Sequence, residues 1–282
     1  MTPEDGIYHD VPYVEYSSWD ATRATAIKAG RKSMLHMWQA TVGEYQVASP
    51  AMNLGTFIHK AILEPKLATS VAVRPLVYPG KGGEEKPWNN NATYCKEWNA
   101  EREGELIVTK DDLVKLTNIV ESVNKHPEAR MLIADSQHEV GMVWSDRAYG
   151  RGKARVDMLA PSFCADLKTT ADVSLRAVQS QFTKLGYYIQ FGWQQEGLRA
   201  LGETSRTFYE VVVETAPPWD VGVFEIEGDA LHLGREEAVK IAKAYNVARL
   251  TDSYTGVTGG QILRLDVPDY MKEEKEEWEV KT

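Results

Sequence analysis

Two aspartates and a lysine, Asp157, Asp166 and Lys168, stand in the stretch "GRGKARVDMLAPSFCADLKTT", residues 150–170. Side chains alternate faces along a strand. Arg151, Lys153, Arg155 and Asp157 therefore share one face of the first run, with Gly152, Ala154, Val156 and Met158 on the other. Asp166 and Lys168 share a face of the next run, opposite Ala165 and Leu167. The turn "APS" between the runs predicts a hairpin that brings Asp157 near Asp166 and Lys168. Two carboxylates so placed can hold a hard divalent cation such as Mg²⁺, which prefers oxygen ligands. Such a cation polarises a phosphodiester oxygen and lowers the pKa of a bound water. The lysine can orient that water or stabilise charge developing at phosphorus. Arg151, Lys153 and Arg155 can hold backbone phosphates. The competing reading is a solvated sheet face of alternating charges, and for an isolated D-x-K it is the commoner one.

The elements that must position these residues are read from periodicity and punctuation. "SSWDATRATAIKAGRKSMLHMWQA" reads as a helix with Ser17 or Ser18 as its N-cap. "AMNLGTFIHKAILEP" reads as a short buried helix opening near Asn53 and stopped by Pro65. Residues 78–92, rich in Gly, Pro and Asn, read as a flexible loop. "TKDDLVKLTNIVESVNKH" has apolar residues at helical spacing. "HEVGMVWSD", "AYGRGKARVDMLA" and "FCADLKTT" predict an antiparallel three-strand meander. A long helical stretch follows from about Val173 to Leu201, then strands "RTFYEVVVET" and "VGVFEIEG", then the helix "DALHLGREEAVKIAKAYNVARL". This order predicts an α/β (α+β) architecture around one mixed sheet.

The bulk properties set bounds. The 282 residues are 43% hydrophobic and 26% charged, ordinary values for a globular protein with a sizeable core. No apolar run reaches the length of a membrane span, and "MTPEDGIYHD" does not read as a secretory signal. Cys95 and Cys164 lack metal-ligand spacing, so a reduced, cytoplasmic setting is expected. The net charge of −9 argues mildly against nucleic acid as a partner, but a metal site needs carboxylates and only a groove need be basic. The tail "MKEEKEEWEVKT" reads as a frayed, solvated end.

With "KARVD", "ADLKTT" and "YYIQFGWQ" in strand–strand–helix order, the sequence resembles the PD-(D/E)XK nuclease superfamily. Within it, the chain is similar to the exonuclease VIII (RecE-type) branch, related to phage λ exonuclease and the RecB nuclease domain. "LGTFIHKAILEP" matches that branch's upstream helix, and "NKHPEARMLI" before "HEVGMVWSD" and the late "LRLDVPDYM" add to the likeness. The resemblance spans roughly residues 12 to 270. Asp stands where many superfamily members have Glu, as is usual in this branch. No helicase-type phosphate loop and no four-cysteine cluster pattern is present.

The resemblance implies a restriction-endonuclease-like core within a single nuclease domain over 1–282. Its helical part would be about 12–135, its catalytic core about 136–250 and its end segment 251–282. It implies His59, Asp157, Asp166 and the Leu167 backbone carbonyl as metal ligands, and Lys168 as the catalytic lysine. Tyr187 and Gln190 would organise the site from a Y-x-x-Q helix, where Gln194 continues the stripe. Glu139 would touch the metal or only support the sheet. The implied activity is a Mg²⁺-dependent exodeoxyribonuclease, with Mn²⁺ able to substitute. It would resect duplex DNA ends, 5′→3′, to leave 3′ single strands for recombination. Implied partners are double-stranded DNA ends, a single-strand annealing protein and further copies of the chain in a ring, in a phage or bacterial setting. Two other readings stay open: an endonuclease of the same chemistry, and an inactive DNA-end binding module.

Overall fold

The computed structural model describes residues 2–43, 50–65, 71–102, 105–269 and 271. In chain order its elements are β1 (Gly6–Tyr8), α1 (Tyr13–Ser18), β2 (Thr22–Arg23), α2 (Ala24–Gly30), α3 (Met34–Val42), α4 (Pro50–Leu63), β3 (Val71–Val73), β4 (Val77–Pro79), β5 (Glu85–Pro87), α5 (Thr93–Ala100) and β6 (Leu106–Val108). There follow α6 (Lys110–Lys125), α7 (Pro127–Ala134), β7 (Gln137–Asp146), β8 (Gly150–Leu159), β9 (Phe163–Thr170), α8 (Leu175–Lys184), α9 (Tyr187–Ala200), β10 (Thr207–Glu214), β11 (Val221–Glu225) and α10 (Gly228–Leu250).

The meander forms as its turns and β-branched runs prescribe. The main sheet runs β1-β7-β8-β9-β10-β11, with β2 added on β8. β7, β8 and β9 are antiparallel neighbours, whereas β10 joins β9 in parallel through α8 and α9. Apolar residues cover both faces. Ile27, Ile189, Phe191, Trp193 and Ile241 pack one side from α2, α9 and α10. Ile58, Leu63, Ile119, Val123 and Leu132 pack the other from α4, α6 and α7. The architecture is therefore a mixed α/β sheet flanked by helices, as expected. Among the described residues, no helix is long and apolar enough to cross a membrane.

Five local expectations are corrected. The helix expected across residues 17–40 is three helices and a strand. Trp19 is extended at ψ 126°, and Thr22 and Arg23 pair in parallel with Gly152 and Lys153. Ser33, rather than Ser17 or Ser18, caps the following helix by accepting from His36 N at 3.2 Å. The stretch 173–201 divides at Gly186, whose φ of +68° is costly for residues with a Cβ. The loop expected at 78–92 contains most of an antiparallel ribbon, β4 on β5, and Trp88 packs edge-on against Trp98 at 5.3 Å. Finally, Met158 does not share a core with Ala154 and Val156; it packs in the cluster on the opposite face. The cause lies next door on β7, where Glu139 has a φ of +54° and the register passes from His138↔Met158 to Val140↔Val156. The charge-dense tail from residue 272 lies outside the described residues.

Candidate active site

β8 and β9 form a fork. Their pairing comprises Met158↔Ala165 and Leu159↔Cys164 and stops there. Further along, β2 pairs with β8 instead. Asp157 and Asp166 stand on the two arms just beyond the last pair. Asp157 Oδ2 accepts from the Leu167 N–H at 2.9 Å, closing the gap with a side chain where a ladder bond would otherwise fall.

One wall of the fork is acidic with a single imidazole. α4 brings His59 Nδ1 to 3.4 Å from Asp157 Oδ2. The left-handed backbone of Glu139, sparsely populated for a residue with a Cβ, marks a strained position of the kind found at functional sites. Ligand atoms of His59, Glu139 and Asp157 all lie within 4.8 Å of one another. Burial pushes the Glu139 carboxyl up to about 7, and the Asp157 charge adds to this against the pull of Arg155. Burial and then the Asp166 charge raise Asp157 as well. Burial, with Lys168 nearby, lowers His59 and keeps its imidazole neutral and able to coordinate.

The other wall centres on Asp166, which is fully buried. Its Oδ1 accepts from Gln190 Nε2 at 2.6 Å, and its Oδ2 pairs with Lys168 Nζ. Lys28 Nζ in turn donates to Gln190 Oε1 at 3.1 Å. Lys28 and Lys168 lie 5.2 and 5.0 Å from the centre of the Tyr187 ring. Burial works against the Lys168 ammonium, but Asp166 and Asp157 outweigh it and hold its pKa above the usual range. Burial, and then the charge of Lys168, lower Lys28 to about 8.

The structure thus brings His59, Glu139, Asp157, Asp166, Lys168, Tyr187 and Gln190 to one fork, with Leu167 between its two aspartates. Gln194 lies deeper, buried with its Oε1 3.7 Å from Cys164 Sγ. The three basic residues are placed elsewhere. Lys153 is 3% exposed and donates to the carbonyls of Tyr16, Ser17 and Trp19 at 3.1, 3.0 and 2.6 Å. Arg155 pairs with Glu139, lies 3.6 Å from Glu64 and donates to Val11 O at 3.0 Å. Arg151 bonds Pro3 O and lies 3.3 Å from Asp5. They do share a face, but residues 3–19 cover it, so these cations hold that segment in place and do not present a phosphate-binding row.

Two participants were not singled out from sequence. Lys28 is a lone lysine on an apolar helix. Glu210 is the buried one of two acids on β10, 1% exposed and directly opposite Asp166 in the parallel register. Burial pushes Glu210 up to about 7 against the pull of Lys168, and the Asp166 charge adds to the rise. Only its register against Asp166 could have marked it.

The donor set suits a hard divalent cation: one neutral imidazole and several carboxylate oxygens. Burial and mutual repulsion raise Glu139 and Asp157 of this set and Glu210 beside it, so the fork is short of positive charge despite Lys168. The residues fit Mg²⁺ or Mn²⁺.

Residues 24–256 match the model of a family described as a PDDEXK-like domain of unknown function (DUF3799). No curated protein sequence matches the chain. Among solved structures, the chain is similar to a Eubacterium rectale protein provisionally named an exonuclease. The alignment covers 92% of this chain and 96% of that one at 14% identity, with a TM-score of 0.60, which shows a shared fold. The protein SSO0001 aligns over 66% of this chain and 85% of its own at 14% identity, with a TM-score of 0.27.

Proposed function

The chain belongs to the PDDEXK-like family DUF3799, and we propose that it is a metal-dependent DNA exonuclease that resects duplex ends. The observation that carries this reading is the fork itself, which sets Asp157 and Asp166 on diverging strands with Lys168 on the second of them. His59, Glu139, Asp157, Asp166 and the Leu167 carbonyl would hold Mg²⁺ or Mn²⁺. When bound, the cation supplies Lewis acidity toward a phosphodiester oxygen and an acidified water.

The chain's own residues supply the rest. Lys168 Nζ, held beside Asp166, donates to the attacking water or to the phosphoryl oxygen as its charge grows. Gln190 fixes the rotamer of Asp166, and Lys28 fixes the amide orientation of Gln190. The Tyr187 ring attracts both ammonium groups. In this reading cleavage runs 5′→3′ and leaves 3′ strands for recombination. Further copies of the chain in a ring would keep the enzyme on its substrate, and a single-strand annealing protein would receive the product.

The test uses purified protein, Mg²⁺, a linear duplex labelled separately at its 5′ and 3′ ends, and a closed circle. Release of the 5′ label first, with the circle intact, is the expected result, and Asp166→Ala should abolish it while DNA binding persists. Cutting of the circle would replace this reading with an endonuclease. No cutting of either substrate with Mg²⁺ or Mn²⁺ would leave a DNA-end binding module.

A further inference from the structure

Glu210 has no part in the chemistry above, yet it is built into the same wall. The parallel register pairs Glu210 with Asp166 and Val212 with Lys168, so Glu210, Asp166 and Lys168 share one face of adjacent strands. Strands lie about 4.8 Å apart, so a lysine on one reaches a carboxylate diagonally placed on the next. Glu210 is 1% exposed, and its Oε1 is buried with no hydrogen-bond partner among the described residues. Such an oxygen costs free energy unless something comes to it.

Asp166, by contrast, is fully engaged. Gln190 holds Oδ1 at 2.6 Å, and Lys168 holds Oδ2. A divalent cation drawing on Asp166 would meet the Lys168 ammonium on the same carboxylate, and like charges at that range repel strongly. The ammonium needs another acceptor that keeps it in the site, and among the described residues Glu210 Oε1 is the buried, unpartnered acceptor on that face.

We propose that Glu210 is a positioning residue that receives the Lys168 ammonium when Asp166 turns to the divalent cation. Lys168 then moves by one acceptor and stays within the fork, free to donate to water or phosphoryl oxygen. The ammonium charge already acts on the Glu210 carboxyl in the resting arrangement. This inference rests on the metal-dependent reading.

The test is calorimetric titration of Mn²⁺ into metal-free protein, with thermal melting alongside, for wild type, Glu210→Gln, Lys168→Met and the double variant. Glu210→Gln is expected to weaken Mn²⁺ binding about tenfold without lowering the melting temperature. In the Lys168→Met background the same change should shift binding less than about twofold. Equal weakening in both backgrounds would overturn the proposal and assign Glu210 to the cation itself. No weakening in either background would overturn it too, because Lys168 would then need no second acceptor. Should Glu210→Gln fail to fold, Glu210→Asp, which keeps the charge and shortens the reach, carries the same comparison. If wild type binds no Mn²⁺, or binds it as well after Asp157→Asn, the metal-dependent reading fails and takes the proposal with it.

Discussion

Gln190 gives its amide nitrogen to Asp166 at 2.6 Å while its amide oxygen receives Lys28 at 3.1 Å. The two bonds fix which end of the amide faces the site. A glutamine is suited to this place because it is donor and acceptor at once.

Replacing Gln190 by Ala frees the Asp166 rotamer and leaves Lys28 unanswered. Cleavage should fall about 100-fold through kcat, because misplacement of about an ångström costs that much. Gln190→Glu should do worse, since it sets a second carboxylate against Asp166. Single-turnover cleavage of a labelled duplex separates chemistry from release.

The acids of the fork give a pH signature. The folded-state pKa of Glu139 and Glu210, each about 7, lies above the ordinary 4.5. The folded protein therefore binds protons that the unfolded chain has lost, and that stability fades as pH rises through about 7. His59, shifted down from 6.5, opposes this only below its ordinary value. Between pH 6.5 and 8 the melting temperature of metal-free protein should fall by several degrees, and saturating Mg²⁺ should remove most of the fall. Scanning calorimetry with and without chelator reads both.

Lys153 separates a structural cation from a DNA contact. Lys153→Ala removes a buried ammonium from three backbone carbonyls and should cost about 2–4 kcal/mol of stability. Duplex affinity of the folded protein should change by less than about twofold, with the salt slope of binding unaltered. Urea melts and fluorescence anisotropy make the comparison.

The crossing of α9 and α10 fixes where Gln190 stands. A Cβ at Gly192 would overlap the backbone of Gly234 and Arg235, and one at Gly234 would overlap Tyr188 O. Gly192→Ala should cost about 3 kcal/mol or more, since backbone cannot yield as a side chain does. Where the variant still folds, a displaced α9 should lower cleavage as well, and denaturant melts paired with rates test both.

Much of the fork was legible because its signals are local. The β8–β9 turn and the alternation along each strand place Asp157 against Asp166 without reference to distant segments. The basic row shows the limit of that logic. Alternation correctly groups Arg151, Lys153 and Arg155 on one face, but what covers that face comes from residues more than 130 positions earlier. The helix stretch that breaks at Gly186 carried its own signal, a glycine between an amphipathic segment and a largely apolar, buried one. Glu210 carried none, since one acid in a β-branched strand acquires meaning only through its parallel partner.

The covering segment has a consequence for how the chain comes together. Residues 3–23 supply β1, α1 and β2, and each takes its partner from β7 or β8. A ribosome delivers them ahead of β7 and β8, so their docking surface does not exist until more than a hundred further residues have been made. Closing so long a loop is slow relative to local hairpins and helices. The meander should therefore collapse first, with the face of Lys153 bare, and a segment synthesised before the meander should fold after it.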